Sequence, residues 1–442
     1  MASITFGTDG VRGRAYDDVS LADAFLIGQA SARALGATRA VIGRDTRESG
    51  PDLTAAVAAG LRAGGVAPMD LGVAPTPAVA HVARHHDAIG VVVSASHNPW
   101  HDNGIKLFSR LGSKLSDADQ AGVEASLAEL ETDSKTGQYP ALAQPLPSIQ
   151  HDVGIWTKAI GTSIDHDLAG VKVVIDCANG AASHVAAPVL VDLGADVTVL
   201  FNHPDGRNIN AACGSTHPGA LAAAVKDLGA NVGLALDGDA DRLLAVDSDG
   251  CVVDGDQLMA MLAIDMNDRG VLAGSHLVVT VMSNLGLLRA MERAGINVTV
   301  TPVGDRHVLM GIDRLGANFG GEQSGHLIFQ DFGGTGDGLL SGIQVMSLLK
   351  RSGASLAEHA AQAMTVFPQV LQNVAVSDKI PDIADRMQQD IAASESRLGD
   401  SGRVLVRPSG TEPVIRVMVE AAQVSHAQRE CDALCAVVRN LG

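Results

Sequence analysis

Aromatic side chains are scarce in this chain: two Trp, two Tyr and eight Phe among 442 residues. Gly and Ala are abundant and 46% of the residues are hydrophobic, a composition that suits compact α/β proteins with close helix–sheet packing. Basic residues are also short, 32 Lys and Arg against 50 Asp and Glu, for a formal charge of −18. That balance argues against a nucleic-acid partner and against an anionic membrane surface. An anionic substrate must therefore meet a local basic patch set against the overall field. Cysteine is limited to Cys177, Cys213, Cys251, Cys431 and Cys435. Five cannot all pair internally and none forms a Cys-x-x-Cys motif, so a reducing compartment with buried thiols is expected. No apolar stretch is long enough to span a bilayer, and the first ten residues lack both a basic and an apolar segment. The expected setting is the cytoplasm, with no membrane partner.

At this length one hydrophobic core does not suffice, and three or four domains are expected. The middle of the chain carries a degenerate repeat of strand, turn, helix, strand and polar loop. The first copy starts at Ala40-Val41-Ile42-Gly43-Arg44-Asp45-Thr46-Arg47. Its helix is expected to be capped by Ser49 with Pro51 in the first turn, to present Leu53, Val57 and Leu61, and to end at Gly64-Gly65. The copy closes on the strand Ile89-Gly90-Val91-Val92-Val93. The second starts at Val171-Lys172-Val173-Val174-Ile175-Asp176, with a helix from near Pro188 to Gly194, and returns through Val232-Gly233-Leu234-Ala235-Leu236. The third starts at His276-Leu277-Val278-Val279-Thr280-Val281, followed by a helix capped by Ser283 that presents Leu285 and Leu288 and ends at Gly295.

From about Val366 the pattern changes to strand, helix, two strands bracketing a Pro/Gly loop, and a closing helix. The expected fold is three similar layered α/β domains with mixed, mainly parallel sheets, plus a C-terminal α+β domain, around a central cleft. The joins divide the chain into 1–150, 151–252, 253–365 and 366–442. Sheets of this kind bind ligands beyond the carboxyl ends of their strands, so three loops would converge on one cleft. Three independent folds are the alternative.

The loops carry complementary chemistry. Val91-Val92-Val93 ends abruptly in Ser94-Ala95-Ser96-His97-Asn98-Pro99, reactive groups at the tip of a buried strand, with an ordinary turn as the competing reading. Asp237, Asp239 and Asp241 alternate, so an extended backbone would aim three carboxylates to one side, an oxygen set that suits Mg²⁺. Their spacing also opens like an EF-hand loop, but Arg242 stands where that loop needs Gly and Ser248 where it needs Glu. A solvated acidic turn remains the alternative. In Gly321-Glu322-Gln323-Ser324-Gly325-His326, Glu322 and Ser324 can bond sugar hydroxyls, and His326 can serve as an acid, a base or a structural hydrogen-bonder. Arg407-Pro408-Ser409-Gly410-Thr411-Glu412-Pro413, followed by Arg416, has the parts of a phosphate clamp: two guanidinium forks, two hydroxyls and a close-approach glycine. A hairpin loop with incidental arginines competes with that reading. Lys106 follows the serine turn closely enough to reach it.

With Gly7-Thr8-Asp9-Gly10-Val11-Arg12-Gly13 at the start, these five motifs occur in an order that resembles the α-D-phosphohexomutase superfamily over essentially the whole chain. The opening motif and Gln323 look most like its amino-sugar members. The resemblance implies four domains around a cleft, one Mg²⁺ per active site and a phosphorylated serine. It makes Ser96 the phosphoserine, with Asp237, Asp239 and Asp241 as metal ligands beside its phosphate. The Glu322–Ser324 loop would recognise the sugar, while Arg407, Ser409, Gly410, Thr411 and Arg416 would hold the non-reacting phosphate. Arg12, Lys106 and His326 match positions lining the reacting end, and the turn Gly43–Arg47 would support the serine loop. The implied reaction interconverts glucosamine 6-phosphate and glucosamine 1-phosphate, with glucosamine 1,6-bisphosphate or a related hexose bisphosphate as primer and intermediate. The same mechanism on glucose or mannose phosphates is the alternative. The expected partner is a small phosphosugar, and a homodimer is one expected assembly.

Overall fold

The computed structural model describes residues 4, 6–7, 9–133, 145–409 and 413–441. Its first sheet contains β1 (Val11–Arg14), β2 (Arg39–Arg44), β3 (Ala67–Val73), β4 (Ile89–Val93) and β5 (Asp102–Phe108), in the order β1-β5-β4-β2-β3. The second contains β6 (Lys172–Asp176), β7 (Asp196–Leu200), β8 (Val232–Leu236), β9 (Leu243–Asp247) and β10 (Val252–Val253), in the order β10-β9-β8-β6-β7. The third contains β11 (His276–Thr280), β12 (Asn297–Thr301), β13 (Phe319–Gly321) and β14 (Leu327–Phe329), in the order β12-β11-β13-β14.

One rule governs all three. A central strand (β2, β6 or β11) pairs in parallel with the two that follow it, and an antiparallel strand then lies against the outer one. The repeat read from the sequence is therefore a repeat of topology. Burial explains its hydrophobic signature. All five residues of β4 and all five of β8 are buried, as helix-covered parallel strands require.

Helix ends depart from expectation in instructive ways. Ser49 precedes the helix Gly50–Ala63, but its hydroxyl accepts from Asn103 Nδ2 (2.9 Å) instead of capping. The helix of the second unit spans Ala186–Asp192, so Pro188 lies within its first turn, where a missing N–H costs nothing. In the third unit Asn284, not Ser283, caps Leu285–Arg293 through Gly286 N–H. The buried face is then Gly286, Leu287, Ala290 and Met291, while Leu285 and Leu288 are half-buried.

The C-terminal unit is different. Its sheet, β15 (Gln369–Ala375), β16 (Gly402–Pro408) and β17 (Val414–Ala421), is antiparallel in the order β15-β17-β16 and packs on the helix Val424–Leu441. A single apolar cluster runs through the first three units, from Val41 and Phe108 through Trp156 and Leu236 to Phe319 and Met364. The C-terminal unit has its own, centred on Val406, Val417, Cys431 and Val438. All five cysteines are free; four are buried, but Cys251 is exposed, contrary to expectation, because it lies in the turn between β9 and β10. No described helix is long and apolar enough to cross a membrane.

Candidate active site

In each of the first three units the polar loop joins the outer parallel strand to the antiparallel one. Ser94–His101 links β4 to β5, Asp237–Arg242 links β8 to β9, and Glu322–His326 links β13 to β14. These loops pack backbone against backbone. A Cβ at Gly238 would lie 2.5 Å from Ser96 O, and one at Gly325, where φ is +88°, would lie 2.0 Å from Leu243 O. Glycine at both points lets the loops touch.

Ser96 sits fully buried in the left-handed region, at φ +52°. A buried side-chain network holds that conformation. Ser94 Oγ accepts from Ser96 N–H (2.9 Å) and donates to Asp45 Oδ2 (2.6 Å). Arg47, also buried, pairs with Asp45 (2.8 Å) and donates to Ser96 O (2.9 Å), Asn98 O (2.9 Å), Asp102 O (2.9 Å) and Pro99 O. The turn Gly43–Arg47 thus supports the serine loop. From the second unit, Asn210 Nδ2 donates to the same Ser96 carbonyl (2.8 Å). So anchored, the Ser96 hydroxyl donates to Asp237 Oδ2 at 2.5 Å and lies 3.3 Å from His97 Nδ1. Burial, then Arg242 and Arg12, push the His97 imidazole down to about 4.

Asp237, Asp239 and Asp241 are buried, and one oxygen from each lies within 4.8 Å of the others. They do not converge along an extended strand. The backbone turns, with Ala240 at φ +58°, because the chain must reverse from β8 into antiparallel β9. Burial, then Asp241 and Asp239, raise the Asp237 carboxyl well above its ordinary range. Burial would also raise Asp241, but Lys106, His326 and Arg242 outweigh it and hold it at about 2. Lys106 Nζ contacts Asp239 (2.7 Å), Asp241 (3.1 Å) and Asp9 (3.0 Å). Thr76 Oγ1 donates to Asp239 Oδ2 (2.6 Å). Asp239 Oδ1 and Asp241 Oδ1 are buried without a hydrogen-bond partner. An all-oxygen, tightly grouped set with free carboxylate oxygens fits a hard divalent cation such as Mg²⁺.

Arg12 pairs with Asp9 Oδ2, the same oxygen that Lys106 Nζ meets at 3.0 Å. His326 Nε2 accepts from Gly336 N–H (3.2 Å) and lies 3.9 Å from Asp241, while its Nδ1 is buried without a partner. Glu322 Oε1 accepts from Gly304 N–H (2.9 Å), and the buried Ser324 Oγ has no partner. Arg407 and Arg416 lie elsewhere, directly opposite each other on β16 and β17. Arg407 is held below its ordinary pKa by burial and by Arg416, and its Nε is unpartnered. Two like charges facing each other across a sheet repel, which suits a site completed by an anion. Ser409 is buried beside them, whereas Gly410 and Thr411 lie outside the described residues.

Several side chains escaped sequence reasoning. Asp9 and Arg242 stood inside quoted motifs without a role. Thr76, Asn210, Lys114 and Asp305 carried no local signal, since each reaches the centre from a distant part of the chain.

Three sheets of one topology, meeting through a buried serine and an aspartate trio, define a phosphohexomutase-like architecture. Family models for phosphoglucomutase/phosphomannomutase match in order: alpha/beta/alpha domain I over residues 3–134, domain II over 156–250, domain III over 254–367 and the C-terminal domain over 371–437. The chain belongs to this phosphohexomutase family. More particularly, it is 46% identical over 454 residues to a phosphoglucosamine mutase of Pelotomaculum thermopropionicum, covering 99% of each. It is 48% identical over 449 residues to that of Leifsonia xyli, covering 98% of each. Among solved structures, a phosphoglucomutase/phosphomannomutase family protein of Burkholderia thailandensis is 26% identical, with a TM-score of 0.79 over 97% of this chain and 95% of that one. The N-acetylphosphoglucosamine mutase of Aspergillus fumigatus, solved with GlcNAc-6P and magnesium, shares the fold at 18% identity, with a TM-score of 0.68 over 99% of this chain and 96% of that one.

Proposed function

We infer that the protein interconverts glucosamine 6-phosphate and glucosamine 1-phosphate, an intramolecular phosphotransfer that feeds amino-sugar nucleotide and cell-wall precursor synthesis. The observation that carries the reading is the Ser96 hydroxyl, 2.5 Å from Asp237 at the meeting point of three units. Phosphoryl transfer asks a protein mainly for positioning and charge stabilisation, and this site is built for both.

Ser96 carries the phosphoryl group. In the first half-reaction its Oγ–P bond breaks as a bond forms from phosphorus to a sugar hydroxyl oxygen, giving a hexose 1,6-bisphosphate. The hydroxyl proton passes to a base at the reacting end, and Ser96 Oγ regains a proton. After the bisphosphate turns end for end, the reverse transfer from the other phosphate restores the phosphoserine. Arg12, Lys106 and His326 serve the reacting end. Asp237, Asp239 and Asp241 would hold one Mg²⁺, which supplies Lewis-acid stabilisation of phosphoryl charge when bound. Glu322 and Ser324 face sugar hydroxyls; Arg407, Ser409, Gly410, Thr411 and Arg416 take the non-reacting phosphate, whichever end presents it. Burial of Ser96 excludes water and so limits loss of the phosphoryl group to hydrolysis. The four loops belong to units 1–150, 151–252, 253–365 and 366–442, in a cytoplasmic protein that assembles as a homodimer.

Initial rates with the phosphates of glucosamine, glucose and mannose, in Mg²⁺ with a trace of hexose 1,6-bisphosphate, test the reading. Fastest turnover on the glucosamine phosphate is expected. Preference for glucose or mannose would reassign the substrate, and release of inorganic phosphate in step with sugar loss would make the protein a phosphatase. Intact mass should rise by one phosphate after treatment with the bisphosphate.

A further inference from the structure

We propose that Lys114 and Asp305 are positioning residues that close a ring of alternating acids and bases, locking the first and third units around the aspartate centre. The proposal rests on the mutase reading above, whose steps use neither side chain.

Six side chains form the ring. Asp241 Oδ2 meets Lys106 Nζ (3.1 Å), and Lys106 meets Asp9 Oδ2 (3.0 Å). Asp9 Oδ1 pairs with Lys114, and Lys114 meets Asp305 Oδ2 (3.0 Å). Asp305 Oδ2 and Asp241 Oδ2 then flank His326 Nε2 at 3.6 and 3.9 Å, beyond hydrogen-bond distance, so the circuit closes here by packing around the imidazole and not by an ion pair. Asp9, Lys106 and Lys114 come from the first unit, Asp241 from the second, and Asp305 and His326 from the third. The side chains of the two lysines are 1% and 7% exposed, so neither charge has bulk water as an alternative partner.

The turn carrying Asp305 grips more than the ring. Gly304 N–H donates to Glu322 Oε1 (2.9 Å), holding the carboxylate of the sugar loop. Arg306 donates to Gln120 Oε1 (2.7 Å) and pairs with Asp117, both on the helix Asp117–Asp133 of the first unit. One short segment therefore holds the sugar loop, braces His326 and anchors twice on the first unit. Neutralising Asp305 leaves buried Lys114 with one acid instead of two, and takes a charged neighbour from His326, which keeps Gly336 N–H and Asp241 beside it. Lys106 and His326 then shift relative to the reacting atoms, while Arg407 and Arg416 stand on the C-terminal sheet, outside this segment. The loss falls on kcat more than on KM.

Asp305→Asn and Lys114→Met should each lower kcat about 10–100-fold while KM stays within about threefold. Together they should lose no more than the worse single variant, because both open the same ring. Lys114→Arg, which keeps the charge and can span both acids, should recover most of the rate. Hydrogen–deuterium exchange reads the clamp without turnover: Asp305→Asn should speed exchange in residues 104–115 and 304–326 and leave 402–421 unchanged. Wild-type kcat with unchanged exchange overturns the proposal. So does an additive loss in the double variant, or an arginine variant as slow as the methionine one. A wild-type protein without mutase turnover that shows the same exchange pattern overturns the activity and leaves the ring standing.

Discussion

The centre around Ser96 and the arginine pair on the C-terminal sheet solve opposite electrostatic problems. The centre crowds Asp237, Asp239 and Asp241 into a buried space, and Lys106 offsets only part of their charge. The C-terminal sheet sets Arg407 against Arg416, with a buried Nε left unpartnered. One region calls for a cation and the other for an anion, as a negatively charged sugar substrate held between them would require. Their foundations differ too. The centre stands on an apolar core shared by three units, whereas the arginines stand on a separate core. The joint between the two is polar: Arg403 donates to Glu420 (3.0 Å) and to Ser283 O (2.7 Å), and Glu420 accepts from Leu285 N–H (3.1 Å). A shared apolar core fixes the transfer chemistry, and a polar joint of the kind found between domains ties the arginine pair to it.

The sharpest break of this comparison is Ser96→Ala. It should cut turnover by at least about 10³-fold while circular dichroism and melting stay near wild type, since only one hydroxyl is removed. Near-normal turnover would show that the centre does not transfer phosphate. Next in size is metal removal: protein stripped with EDTA should lose about 10²-fold or more in rate and recover with Mg²⁺. Calorimetric Mg²⁺ binding should vanish in Asp239→Asn but survive in Arg416→Ala. The C-terminal region should answer differently. Arg416→Ala should raise KM about 10–100-fold with a smaller change in kcat, as expected for a lost charged contact to a phosphate that is not reacting. A kcat collapse at constant KM would place that arginine in the transfer step instead.

The smallest effect concerns the joint. Asp256 lies behind Asn284, whose N–H it accepts at 2.8 Å, and burial first, then Asp254, push its carboxyl up to about 7. Its unfolded value is about 3.9, so the fold favours the protonated form. That contribution to stability is full below about pH 4 and is lost as pH rises to about 7. Asp256→Asn cannot ionise. Wild-type Tm should therefore fall relative to this variant between about pH 4 and 7, and a constant difference would rule out titration of Asp256.

Legibility followed locality. Ser94–Pro99, the aspartate trio and the Glu322–His326 loop could be read because each packs its chemistry into a few consecutive residues at the end of an apolar strand. The parallel-sheet repeat was legible for the same reason, through buried runs such as Ile89–Val93 and Val232–Leu236. Reading a two-residue period into Asp237–Asp241 failed, because a turn rather than a strand brings the carboxylates together. The cap of Leu285–Arg293 was misplaced by one residue, since Ser283 and Asn284 are both good caps and only packing chooses between them.

The sequence alone determined the order of elements, the three polar loops and the kind of chemistry each can perform, because these follow from neighbours along the chain. Tertiary structure alone decided that Lys106 answers to the aspartates, that Asn210 and Arg47 hold the backbone of Ser96, and that Asp9, Lys114 and Asp305 join in one ring. Such partners are separated by tens to hundreds of residues. A buried charge accepts whichever opposite charge folding delivers to it, and no local pattern records that choice.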